Sequence, residues 1–200
     1  MTHKRRLIGL ILVAMLIGVG AFALISSHSG HLAHGHGANH EPDSAGASTS
    51  LQSERRMHSE REFTFDLPGT VAHVTPYFGP VKESEWSPDW RPSFLHPAGG
   101  GQVEGAIFQT ASEWGSALWV MDHYEPELGK VGYVIFVPDV GVTRYEITLA
   151  QSDPTHVRIR VRCTRTALNA ASPKYIAEFE QHFSSQGPEW QQAIQSILPR

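Results

Sequence analysis

The sequence predicts an α+β domain in which a curved antiparallel sheet of about six or seven strands wraps one long C-terminal helix. Three observations carry this. Residues 172–198, SPKYIAEFEQHFSSQGPEWQQAIQSIL, place Ile176, Phe179, Phe183, Trp190, Ile194 and Ile197 on one apolar stripe at helical spacing. Upstream, Tyr145, Ile147 and Leu149 alternate with Arg144, Glu146 and Thr148, and Val157, Ile159, Val161 and Cys163 alternate with Arg158, Arg160 and Arg162. One face of such strands packs and the other meets water. Short turns join these segments, which makes neighbouring strands antiparallel, and the bulky helix stripe then has a sheet face to bury it.

Taken in order, the chain opens with Lys4, Arg5 and Arg6, followed by an uncharged apolar run from Leu7 to Ile25. As a helix that run is about 28 Å long, close to the hydrocarbon thickness of a bilayer. Basic residues stay on the cytoplasmic side, so residues 1–25 read as a membrane anchor or a signal peptide, with the rest on the extracytoplasmic side. The membrane is an expected partner through residues 7–25. Residues 26–53 are rich in Gly, Ala, Ser and His and read as a flexible linker. Its His28, His31, His34, His36 and His40 are candidate ligands for zinc, copper or nickel, since neutral imidazoles on a tether suit borderline cations. The other reading is a polar spacer.

The folded domain spans residues 54–200. Glu62 to Leu67 alternates and reads as a strand ended by Pro68-Gly69. Thr70 to Phe78 has helical spacing cut short by Pro76. Residues 79–91 carry Trp86 and Trp90 in a proline-studded loop, which either pins the domain end or covers a cavity mouth. Ser93 to His96 is a brief strand. Gly105 to Ala111, Ser116 to Tyr124, Lys130 to Val137, Val142 to Ala150 and His156 to Thr166 follow as a meander. Ser172, as a cap, and Pro173 start the last helix. Gly187-Pro188 interrupts its stripe without losing register, which predicts one helix, kinked between Ser184 and Pro188.

Composition narrows the function. With 40% apolar residues, 18% charged and a net charge of −4, the chain lacks the concentrated basic face of a nucleic-acid binder. The single cysteine, Cys163, excludes an internal disulfide. No G-x-S-x-G elbow, P-loop or dinucleotide fingerprint is present. Cys163 falls in an apolar strand register, which suits a small buried side chain. The arginine ladder Arg158, Arg160, Arg162 is expected to pair with acids such as Glu146 across the strands, or to meet anionic lipid headgroups.

The element order, with its particular residues, resembles the SRPBCC superfamily, the helix-grip fold of pollen-allergen-type ligand binders, lipid-transfer domains and polyketide cyclases. The likeness rests on ESEWSPDWRPSFLHP (83–97), a G-x-x-F-x-T strand (105–110), W-V-x-x-x-Y-x-P (119–126), RYEITL (144–149) and a T-x-V-x-V-x-x-T-x-T-A-L-type strand (155–168) before the long helix. It covers roughly residues 54–198. The resemblance implies a cavity between sheet and helix, and an apolar pocket with a few polar groups is the default binding site. By alternation its candidate walls are Phe108, Trp119, Met121, His123, Tyr133, Ile135, Tyr145 and Ile147, with Phe179 and Phe183 from the helix. The other reading is that the apolar side chains fill the core and that His123 is a rim or hydrogen-bonded core residue. In the strand 116–124 the opposite set, Leu118, Val120 and Asp122, competes for the inward face. His123, if it faces in beside Tyr133 or Tyr145, is a candidate general base or carbonyl-orienting group. The expected function is therefore an exported, membrane-tethered domain that binds a small hydrophobic molecule. The alternatives are a cyclase-, dehydratase- or hydrolase-like enzyme using His123, or metal handling by the histidine linker.

Overall fold

The structure, a computed structural model, describes residues 57–169 and 172–199. The anchor segment 7–25, the linker 26–53 and its histidines His28, His31, His34, His36 and His40 lie outside the described residues. Strand β1 (His58–Pro68) is followed by a one-turn helix α1 (Val71–Val74) and by 3₁₀ turns at Thr75–Phe78 and Lys82–Glu85. Then come β2 (Ser93–His96), β3 (Ile107–Ser112), β4 (Gly115–Glu125), β5 (Lys130–Val137), β6 (Gly141–Asp153), β7 (His156–Ala167) and the long helix α2 (Pro173–Ile197). The seven strands form one antiparallel sheet in the order β1-β7-β6-β5-β4-β3-β2. Strands β2 to β7 are thus a meander, and β1 returns to the edge beside β7. The curved sheet around α2 is the helix-grip arrangement that the sequence predicted.

Helix α2 buries Tyr175, Ile176, Phe179, Phe183, Gly187, Trp190 and Ile194. It stays helical through Gly187-Pro188, and the two residues divide the work. A Cβ added at Gly187 would sit 3.1 Å from the Phe63 ring, so glycine lets β1 approach the helix backbone closely. Pro188 is exposed and has no N–H for the Ser184 carbonyl, and Ser184 also faces water. Solvent can therefore satisfy the carbonyl that the proline leaves unbonded. The hydroxyl of Ser172 does not cap the helix as expected: it donates to Asn169 Oδ1 at 3.1 Å, because Ser172 is buried under the turn.

Strand β1 is longer than its apolar alternation indicated. Its polar first half is held by register with β7, from His58 opposite Thr166 through to Pro68 opposite His156. Ser59 donates to Glu180 on α2 at 2.8 Å, and Arg61 pairs with the same carboxylate. Pro76 converts the helix begun at Val71 into a 3₁₀ turn, since proline withholds a backbone donor. None of the described helices is long and apolar enough to cross a membrane.

Candidate functional site

Between the sheet and α2 aromatic and aliphatic side chains pack into one buried cluster. Phe108, Trp119, Met121, Tyr133, Ile135, Tyr145 and Ile147 all project from the concave sheet face and are buried, as are Phe179 and Phe183 from α2. Nine of the ten residues expected on a cavity wall lie buried in one packed cluster. Strand β4 resolves its ambiguity by placing Ala117, Trp119 and Met121 inward and Leu118, Val120 and Asp122 outward. The rings pack on one another. Trp119 stacks on Phe108 with centroids 5.5 Å apart, Phe179 meets Phe183 edge-on at 5.0 Å, and Trp190 lies 6.2 Å from Tyr145. Phe63, from β1, joins Phe183 and Trp190 at 5.2 and 5.4 Å.

His123 is the exception and corrects the expectation that it faces the interior. The β4–β5 register slips between Val120 and His123, so His123 pairs with Gly132. Such a bulge rotates the residues after it onto the other face. His123 therefore sits on the convex face, where its Nε2 is 2.7 Å from Glu125 Oε1. Gly132 makes the bulge possible: a Cβ there would fall 2.5 Å from Asp122 Oδ1. His123 cannot meet Tyr133 or Tyr145, whose rings point the other way.

Four kinds of polar group do reach the interior. The Tyr133 hydroxyl donates to the Phe78 carbonyl at 2.8 Å. The Tyr145 hydroxyl is buried with no nitrogen or oxygen partner; the group within its reach is the Cys163 thiol, a weak acceptor. Burial raises both phenols well above their ordinary pKa and pushes the Cys163 thiol up to about 12, so none of the three ionises near neutral pH. Glu83, in the second 3₁₀ turn, is 1% exposed, and burial raises its carboxyl well above the usual range, with Oε2 left unpartnered.

The fourth group is Arg165, 5% exposed on the concave face of β7. Its guanidinium carbon lies 4.3 Å from the Tyr175 ring centre and 4.5 Å from that of Phe179. Its Nε donates to Thr143 Oγ1 at 3.1 Å, and Nη1 donates to the Tyr175 carbonyl at 3.3 Å. Thr143 also shares a hydrogen bond of 2.7 Å with the Tyr175 hydroxyl. The sequence reading missed Arg165, although the signal was present. It occupies the apolar register Val157, Ile159, Val161, Cys163, where a charge breaks the pattern.

Outside this space the charges cancel. Arg158 pairs with Asp66 at 2.9 Å, Arg160 with Glu62 at 2.7 Å, and Arg162 with Glu60 at 2.8 Å and Glu146 at 3.6 Å. The predicted cross-strand partner Glu146 is there, but β1 supplies most of the acids. Trp86 and Trp90 pin the loop: their indole N–H groups donate to the carbonyls of Tyr77 and Pro80 at 2.7 and 2.6 Å, with both rings buried. Among the described residues, no group of three or more His, Cys, Asp or Glu side chains is placed to hold a metal ion.

No family model and no curated protein sequence matches the chain. Solved structures match in fold. A truncated norcoclaurine synthase from Thalictrum flavum aligns with a TM-score of 0.52 at 8% identity, over 72% of this chain and 95% of that one. A further X-ray structure of norcoclaurine synthase from the same species aligns at 0.50 and 8% identity, over 84% and 98%. At such identities the likeness is one of fold, and it is the helix-grip fold.

Proposed function

We propose that this domain takes up a small apolar molecule between the concave sheet face and α2, with the Tyr145 hydroxyl as a polar contact. One observation carries the reading. A buried hydroxyl left to a weak acceptor costs free energy, and Tyr145 holds one among buried rings, facing only the Cys163 thiol. A guest bearing an acceptor would satisfy it while the rings bury the remainder, at about 25 cal/mol per Å² of apolar surface removed from water. The rings fill the space in this conformation, so entry requires α2 to give. The turn from Ser184 to Pro188, which lacks one ladder bond between Phe183 and Trp190, is the place where it gives most easily. His123 faces away, which favours binding over acid–base chemistry.

We also read the domain as exported and tethered by residues 7–25, with residues 26–53 as the leash; the support is the basic, apolar, then polar order of the first 53 residues. Native mass spectrometry of the full chain, released from non-ionic detergent micelles, tests the binding reading. A small molecule lost on unfolding, or taken up when offered, is the expected result. A chain that appears only at its bare mass after exposure to a panel of apolar molecules contradicts it.

A further inference from the structure

Arg165 differs from every other arginine whose pairing defines the sheet. It faces inward, and among the described residues no carboxylate stands within ion-pair distance of it. Of the acids of α2 nearest in sequence to its contact residues, Glu180 is held by Ser59 and Arg61. Glu178 meets Lys174 through Oε1, while its buried Oε2 has no hydrogen-bond partner and makes no ion pair with Arg165. A guanidinium carries five N–H donors and stays charged at any relevant pH. Thr143 and Tyr175 use two of them. The Tyr175 and Phe179 rings attract the cation through their faces but carry no net negative charge. Buried charges are ordinarily neutralised by an opposite charge.

The register places the second group needed. Thr143 lies opposite Arg165, and Tyr145 lies opposite Cys163, so Tyr145 and Arg165 are diagonal neighbours on the same concave face. Arg165 presents unused donors on a cation, and Tyr145 presents a hydroxyl whose neighbour is the weakly accepting Cys163 thiol. A carboxylate matches this pair, because its two oxygens fit the guanidinium fork and accept from a phenol as well.

We propose that Arg165 and Tyr145 hold the carboxylate of an amphipathic monoanion whose apolar body lies against Phe179 and Phe183. This rests on the binding reading above and names its ligand class: a long-chain or ring-bearing monocarboxylic acid. A neutral alcohol or ester of the same body satisfies Tyr145 alone and leaves the cation uncompensated.

The test offers the full chain, in non-ionic detergent, an equimolar mixture of palmitic acid and hexadecanol, and reads the retained masses by native mass spectrometry. The two probes share their chain, so the comparison on the unaltered protein isolates the head group. Retention of the acid over the alcohol by about tenfold or more is expected from a charge-assisted contact. In Arg165→Gln the preference should fall to near parity, and Arg165→Lys should keep part of it. Equal retention of acid and alcohol by the unaltered chain overturns the assignment of Arg165 but leaves the binding reading standing. So does a preference that survives in a folded Arg165→Gln chain. Retention of neither probe overturns this assignment, and the binding reading falls with it only if the panel of apolar molecules also leaves the chain at its bare mass.

Discussion

Strand β7 carries arginines on both of its faces, and the two faces treat them oppositely. On the convex side Arg158, Arg160 and Arg162 lie in solvent, each within 3 Å of an acid on β1. On the concave side Arg165 lies among rings with two neutral acceptors. The same residue type is thus a solvated cross-strand partner in one register and a buried, unpaired cation in the other. Exposed pairs contribute little, because water screens them and two long side chains lose freedom. The convex ladder therefore adds little, while the concave face, where the rings are buried, supplies most of the stability of the domain.

Four substitutions break or sharpen that contrast, from the largest expected effect to the smallest. Trp190→Ala removes the ring that joins Phe63, Phe78, Trp86 and Tyr145, and should cost about 3–5 kcal/mol in urea unfolding. A loss below 1 kcal/mol would mean that the concave face is not the core. Gly141→Ala puts a Cβ 2.2 Å from the buried Tyr175 ring and 2.8 Å from the Thr166 carbonyl. It should destabilise by about 1–3 kcal/mol through overpacking, and an unchanged midpoint would contradict the close approach of α2 to β6.

Glu83→Gln tests the buried acid through pH. The unfolded chain ionises Glu83 around its ordinary 4.5, whereas burial keeps it protonated well above that in the fold. The folded state binds the extra proton, so this group's contribution is whole below 4.5 and declines as pH rises toward the folded value. The variant should therefore match the parent near pH 4 and become relatively more stable as pH rises, read from unfolding midpoints along a pH series. A constant difference across that series would place Glu83 in water. Arg160→Gln, on the convex face, should change stability by no more than about 1 kcal/mol and should leave ligand retention untouched.

The parts of this architecture that sequence revealed are those with uninterrupted periodicity. Strands β5, β6 and β7 and helix α2 appear within a few residues of their predicted limits, because each alternates or spirals cleanly between polar and apolar faces. The burial of Phe108, Trp119, Met121, Tyr133, Ile135, Tyr145, Ile147, Phe179 and Phe183 followed from the same periodicity. His123 was misplaced because a bulge adds one residue to a strand without changing its composition, and everything beyond it changes face. Gly132, a glycine inside an otherwise β-branched strand, was the available clue. The first half of β1 was missed because its residues are polar on both sides and owe their extended form to β7. Arg165 was passed over because three arginines in the neighbouring register made a fourth look ordinary. Glu83 gave no signal at all: its burial comes from the fold of residues 79–91, which brings its carboxyl within electrostatic reach of the buried Tyr133.

The central claim, that guests lie on the concave face beneath α2, is tested most directly by photolabelling the full chain with an alkyl diazirine and locating the adducts by fragment mass spectrometry. The account predicts saturable labelling of peptides carrying Met121, Tyr145, Phe179 and Phe183. Labelling confined to the convex positions Val120, Val134 and Phe136, or to residues 7–25 alone, would contradict it.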